Sequence, residues 1–284
     1  MRKGEKITLI TGVSLAIVGL ILALAVLMLN GFRLANVYNL EERIVEHELN
    51  SSLNDISLDI VEADAIINLS TDNKNKLVIK ETNKIYHEVI MNDDSLAIKR
   101  KDKLGLLSYF VPTYSYEMEV SLYLNKESIN KLQIKTVSGN IKISSINARS
   151  LSLESKAGLV EVLDAKADSL SVNTISGAII AKGISTASLN FKTISGAIEA
   201  ENAYNMDAKI STVSGSVDFS DYECDRLSVE SVSGQVKIVF LTDKNFQYKT
   251  ISGRYVIPNS VSGAGIVSVK TTSGNILLYI KNRS

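Results

Sequence analysis

Glu199 and Asp218 are the two residues whose type and spacing come nearest to a catalytic pair, because they stand 19 positions apart in a sequence that repeats every 19. If each repeat is one coil of a stack, both side chains occupy the same outward column, with backbones about 5 Å apart. Two carboxylates at such a distance could serve as acid and nucleophile on a glycosidic bond. The same column also holds Lys142 beside Glu161 and Lys237 beside Asp218, which reads as a ladder of opposite charges.

Other chemistry is sparse. Only His47 and His87 could serve a Ser-His-acid triad, and both precede the repeats. Ser128-Ile129-Asn130-Lys131 has the spacing of a Ser-Lys pair, in a chain rich in both residues. Cys224 is the only cysteine, so neither an intrachain disulfide nor a multi-cysteine metal site can form, and it reads as a small buried hydrophobe. No phosphate loop, zinc-type His-Glu helix or calcium-binding glycine-aspartate repeat is present, so no cofactor or metal is expected. The balance of 31 basic and 31 acidic residues, with no Trp, leaves nothing for neutralising or stacking on nucleic acid. The chain reads as a non-enzyme, with a carbohydrate-acting enzyme built on Glu199 and Asp218 as the alternative.

The elements that would position these residues are unusually legible. Gly139, Gly158, Gly177, Gly196, Gly215, Gly234 and Gly253 follow one another at a spacing of 19, and Gly274 comes 21 later. All but Gly158 follow a serine, and a Thr or Ser stands three residues before each glycine. Around these corners apolar and polar residues alternate, as in Leu132/Ile134 before the first and Ile141/Ile143 after it. Each unit is therefore strand, corner, strand and return loop, and it buries its apolar face only by stacking on its neighbours. The expected fold is all-β: a parallel β-solenoid of two-strand coils over residues 132–284, a rod on the order of 35–40 Å long. Val137, Ile175, Ile194 and their counterparts follow an inward Thr or Ser, which breaks the alternation and marks a bend. Glycine is expected there for its backbone freedom, and stacked hydroxyls for bonding along the rod.

Residues 53–131 are strand-rich but irregular and read as a cap on the membrane-proximal end. Ahead of them, Ile7 to Leu29 contains no charged side chain and is long enough to cross a bilayer as a helix. Residues 1–6 carry Arg2, Lys3 and Lys6 against Glu5, which keeps that end cytoplasmic and places the rest outside the cell membrane. Residues 30–52 form a stalk. A cleaved signal peptide is the competing reading, since Ala23-Leu24-Ala25 fits a cleavage site, although a cut there leaves Val26-Leu27-Met28-Leu29 as an apolar terminus.

A partner contact, with another protein or a second copy, is expected at the C-terminal end, where Ile276 to Ile280 form an open strand edge that presents Leu277 and Tyr279. Tyr109, Phe110, Tyr114, Tyr116 and Tyr123 gather at the membrane-proximal end and read as its plug, with a binding patch around Tyr114 and Tyr116 as the alternative.

The run Leu132-Gln133-Ile134-Lys135-Thr136-Val137-Ser138-Gly139-Asn140-Ile141, its later copies and the strand from Tyr116 to Leu124 together resemble a bacterial family labelled "putative adhesin", a domain of unknown function found in LiaG-like membrane-anchored proteins. The resemblance covers about residues 53–281. It implies an extracytoplasmic role in surface interaction or envelope stress, and it implies no ligand.

Overall fold

The computed structural model describes residues 15, 17–25, 28–29, 40–50, 53–104, 116–125 and 128–281. Residues 15, 17–25 and 28–29 are helical, and the remainder of the Ile7 to Leu29 run lies outside the described residues. Among the described residues no helix is long and apolar enough to cross a membrane. The rest is all-β.

The irregular region contributes β1 (Glu42–Glu48), β2 (Asp55–Asp59), β3 (Asp64–Leu69), β4 (Lys76–Thr82), β5 (Ile85–Asn92), β6 (Ser95–Asp102) and β7 (Glu119–Leu124). Coils with glycine corners begin at β8 (Ser128–Thr136) and β9 (Ile141–Ser144), followed by β10 (Asn147–Ser155) and β11 (Val160–Leu163). Next come β12 (Lys166–Thr174), β13 (Ile179–Lys182), β14 (Ser185–Lys192), and the long β15 (Ile198–Thr212) and β16 (Val217–Ser231). The chain closes with β17 (Val236–Phe240), β18 (Lys244–Lys249), β19 (Tyr255–Val256), β20 (Gly265–Thr271) and β21 (Ile276–Ile280).

Two parallel ladders run the length of the stack, one built from strands before the corner and one from strands after it. The first follows the order β6, β2, β8, β10, β12, β14, β15, β16, β20, β18. The second follows β7, β3, β9, β11, β13, β15, β16, β17, β21, β19. Ten coils at about 4.8 Å each make a rod of roughly 45 Å. Antiparallel strands close only the N-terminal end: β4 pairs with β7, β1 with β4, and β5 with β6.

Space and sequence disagree at both ends. Residues 55–69 form a coil that stacks directly on β8 and β9, while the later strands β6 and β7 lie outside it. At the other end β20 and β21 insert beneath the earlier β18 and β19. The expectation of an open C-terminal edge is thereby corrected: β21 pairs with β17 on one side and β19 on the other. The physical reason is that a stack must end somewhere, and here a segment of the chain's own interior covers the last strand.

Alternation explains the core. Leu132, Ile134, Leu151, Leu153, Leu170 and Val172 are buried, and so are their counterparts along both ladders. The exceptions are Tyr248 and Tyr255, which are exposed, and Ile257, which is half-buried. All three belong to the coil of β18 and β19, which has no coil beyond it among the described residues.

Candidate functional site

The corners stack as one column. In most of them a Thr or Ser hydroxyl accepts the glycine N–H three residues on: Thr136 from Gly139 at 3.1 Å, Ser155 from Gly158 at 2.9 Å, Thr193 from Gly196 at 3.0 Å and Thr212 from Gly215 at 2.9 Å; Thr174 and Thr271 instead donate to the carbonyls of Gly177 at 2.7 Å and Gly274 at 2.8 Å. The hydroxyls also meet along the rod, with Thr174 Oγ1 2.9 Å from Thr193 Oγ1. Glycine is needed for closeness rather than for backbone freedom: among the described residues only Gly183 and Gly263 have a positive φ among glycines. A Cβ on Gly196 would lie 1.9 Å from the carbonyl oxygen of Gly177. The corner serines face solvent; Ser176 Oγ approaches Lys156 O at 3.4 Å and Ser214 Oγ approaches Ile194 O at 3.4 Å. No histidine is paired with them among the described residues. Their arrangement does structural work.

Glu199 and Asp218 are brought side by side in the register of β15 and β16. They line an open recess of about 380 Å³ with Lys182, Glu201, Ser220 and Lys237. Each neighbouring charge has a partner: Asp218 Oδ2 lies 3.3 Å from Lys237 Nζ, and Glu201 Oε2 lies 3.1 Å from Lys182 Nζ. Lys142 and Glu161 pair at 2.9 Å further along the column. These are exposed cross-strand pairs on a flat side, a geometry that screens charge and contributes little to stability. Ser128 and Lys131 both face solvent on β8, and no hydrogen bond joins them.

The two histidines lie in the N-terminal cap. His47 sits on β1, opposite Leu77. His87 is buried on β5, with Nδ1 3.1 Å from Glu81 Oε2, while its backbone N–H donates to the same oxygen at 2.5 Å. Arg43 Nη2 reaches the other carboxylate oxygen at 2.5 Å. Burial pushes the Glu81 carboxyl up, but the bonds from His87 and Arg43 outweigh it and hold the group below its ordinary range. The cluster joins β1, β4 and β5.

Of the residues expected at the ends, Tyr114 lies outside the described residues, as do Tyr109 and Phe110. Tyr116 is half-buried against the core, and burial, with help from Glu42, raises its hydroxyl pKa. Leu277 pairs with Lys237 and Val256, and Tyr279 pairs with Val239 and remains partly exposed.

A family model described as Toastrack DUF4097 matches residues 53–278. The chain belongs to that family. The matched span opens just before β2 and ends within β21, so the Toastrack domain includes the detached first coil and the tucked-in last one. No curated protein matches the chain. Among solved structures, the domain is similar to one titled a putative lipid binding protein from Parabacteroides distasonis ATCC 8503, with 19% identity and a TM-score of 0.52 over 82% of this chain and 97% of that one. That likeness is one of fold. A structure titled a putative adhesin from Parabacteroides merdae ATCC 43184 gives 15% identity and a TM-score of 0.47 over 83% of this chain and 96% of that one.

The Toastrack domain has a second corner that sequence reasoning treated as a plain return loop. Ser145, Asp164, Gly183, Asn202 and Asp221 all have φ between 49° and 64° and recur every 19 residues. Small polar residues and glycine tolerate this left-handed conformation, so the signal was present in the residue types. The residue after each one, from Ile146 to Tyr222, turns into the core.

Proposed function

We propose that this Toastrack protein is a membrane-anchored, extracytoplasmic interaction or scaffold module of the cell envelope, and that it performs no catalysis. The observation that carries the choice of binding over chemistry is the Asp218–Lys237 pair: one carboxylate of the candidate pair is already engaged by a neighbouring cation, on a side open to water. A glycosidase needs one carboxyl held protonated in a protected cleft. Glu199 and Asp218 instead stand exposed on the side of the rod.

Anchoring is supported by the uncharged run from Ile7 to Leu29 behind a basic leader. Leu15, Ile17, Val18, Leu20, Ile21 and Leu22 are helical and all exposed, an apolar surface that water disfavours and lipid accepts. A role in adhesion or envelope stress is what the family resemblance suggests, and the similar protein from Parabacteroides distasonis is named for lipid binding.

The test is protease treatment of intact cells combined with crosslinking. The rod should be digested from outside while the N-terminal segment stays in the membrane fraction, and Glu199→Ala with Asp218→Ala should leave crosslinked partners unchanged. A carbohydrate cleavage activity that vanishes in the double variant would overturn the reading. Protection of the rod would reverse the topology.

A further inference from the structure

All 31 acidic residues of the chain lie before residue 244. From there to the end stand six basic residues: Lys244, Lys249, Arg254, Lys270, Lys281 and Arg283. The fold gathers this biased segment into the last two coils of the rod, because β18 and β19 form the terminal coil and β20 and β21 the coil beneath it. Lys244 is satisfied by Glu223 and Thr242, and Lys281 by Asp221 at 2.5 Å. Lys249, Arg254 and Lys270 are exposed and form no salt bridge among the described residues. The nearest acidic neighbours are Glu230, one coil deeper in register with Lys270, and Asp243, just ahead of β18. Lys249 and Arg254 therefore stand without an ion pair at one end, and Lys270, with Glu230 beside it, adds a third cation there.

The same end exposes two tyrosines at positions that interior coils bury, and Ile251 there is more exposed than its counterparts Val137, Ile175, Ile194, Val213 and Val232. Ile251 is 75% exposed, Tyr255 56%, Val256 50% and Tyr248 44%. Tyr248 and Tyr255 occupy positions that face the core elsewhere; with no coil above them they close its end against each other, ring centroids 4.8 Å apart. Strand addition is obstructed on one side: the segment after β19 crosses the outer edge of β18, where Phe246 N donates to Ser260 Oγ at 3.0 Å and Val261 N donates to Lys244 O at 3.0 Å.

We infer that the C-terminal tip, formed by Lys249, Ile251, Arg254, Tyr255, Val256 and Lys270, docks on an anionic lipid surface. This deepens the interaction-module reading and rests on it by naming the partner. Charge complementarity selects the partner. A second copy meeting this tip with its own would set cations against cations. A soluble anionic polymer would satisfy the cations but leave Ile251 and Val256 in water. An anionic bilayer accepts both, since tyrosines and aliphatic tips settle at the headgroup level while Lys and Arg pair with lipid phosphates. It also requires no matching pocket.

The full chain is reconstituted into carrier vesicles of phosphatidylcholine and mixed with labelled acceptor vesicles, either phosphatidylcholine alone or about one-third phosphatidylglycerol. Incorporation into the carriers reports the N-terminal anchor; capture of acceptors reports the tip. Should incorporation fail, co-flotation of the full chain directly with each acceptor reports the tip alone. Acceptors containing phosphatidylglycerol should be bound at least about ten-fold better than neutral ones, and about 0.5 M salt should abolish the difference. Lys249→Glu with Arg254→Glu and Lys270→Glu should remove binding with an unchanged melting curve, and Ile251→Ser should weaken it. Equal binding of both acceptors, or a charge-reversed variant that still binds, overturns the proposal. Full competition by soluble polyglutamate with no effect of Ile251→Ser would replace the lipid by an anionic polymer.

Discussion

Gly274 rests on Gly234, and Gly253 rests on Gly274. A Cβ on Gly274 would lie 2.0 Å from the carbonyl oxygen of Gly234, and one on Gly253 would lie 2.0 Å from the carbonyl oxygen of Gly274. The column of corners thus exchanges its last two members relative to the chain. This exchange buries the final strand and leaves the coil with Tyr248 and Tyr255 at the tip. At the other end Ala63 takes the place of a glycine, with Gly139 stacked against its carbonyl.

The corner column makes glycine irreplaceable for a steric reason. In Gly196→Ala the new Cβ meets a backbone oxygen 1.9 Å away, which no side-chain rotation can relieve. The expected loss is about 3 kcal/mol or more in denaturant unfolding. Ser188→Ala, on the exposed side of the strand that leads into the same corner, should stay within about 0.5 kcal/mol. Equal melting of the two variants would refute the close-approach argument.

The second corner behaves differently, because it depends on φ. Asn202 has a φ of 51°. Asn202→Val should cost about 1–2 kcal/mol, since a β-branched residue is strained there, whereas Asn202→Gly should be close to neutral. Urea unfolding of both variants checks this contrast.

Acid should weaken the N-terminal cap. Glu81 is held below its ordinary value of 4.5, so its contribution is present above that pH and is lost as the pH falls through it towards the depressed folded-state value. Glu81→Gln should be less stable than the parent by on the order of 3 kcal/mol at neutral pH, because Arg43 and His87 lose their shared anion. The gap should close below pH 4.5. A gap that stays constant across the acid range would assign the effect to packing.

The lone thiol should be silent until the rod opens. Cys224 is buried, and burial pushes its pKa up to about 12. At pH 8 its alkylation should be at least about a hundred-fold slower in the folded protein than in denaturant. Fast labelling of the native chain would place the thiol at an accessible surface instead.

The sequence by itself determined the coil. Strict alternation from Leu132 onward, the Thr or Ser three residues before each glycine and the constant spacing leave one way to bury the apolar columns, since side chains alternate faces with period two and each unit needs a neighbour. The outward ladder containing Glu199 and Asp218 was legible on the same ground. The order in which coils stack at the ends was decided only in three dimensions. The coil of β18 and β19 and that of β20 and β21 carry nearly the same inward pattern, so either could lie on β16 and β17 as far as local sequence is concerned. The choice depends on the path of the segment between them, which crosses the β18 edge through Ser260 and Val261 and carries the chain past the exposed coil to the one beneath. The same holds for β2 and β3, whose coil is separated from β8 by four strands in sequence and by none in space. Contacts between repeats are set by pattern, whereas the identity of the neighbour at an end is set by which coil the connecting loop can cover.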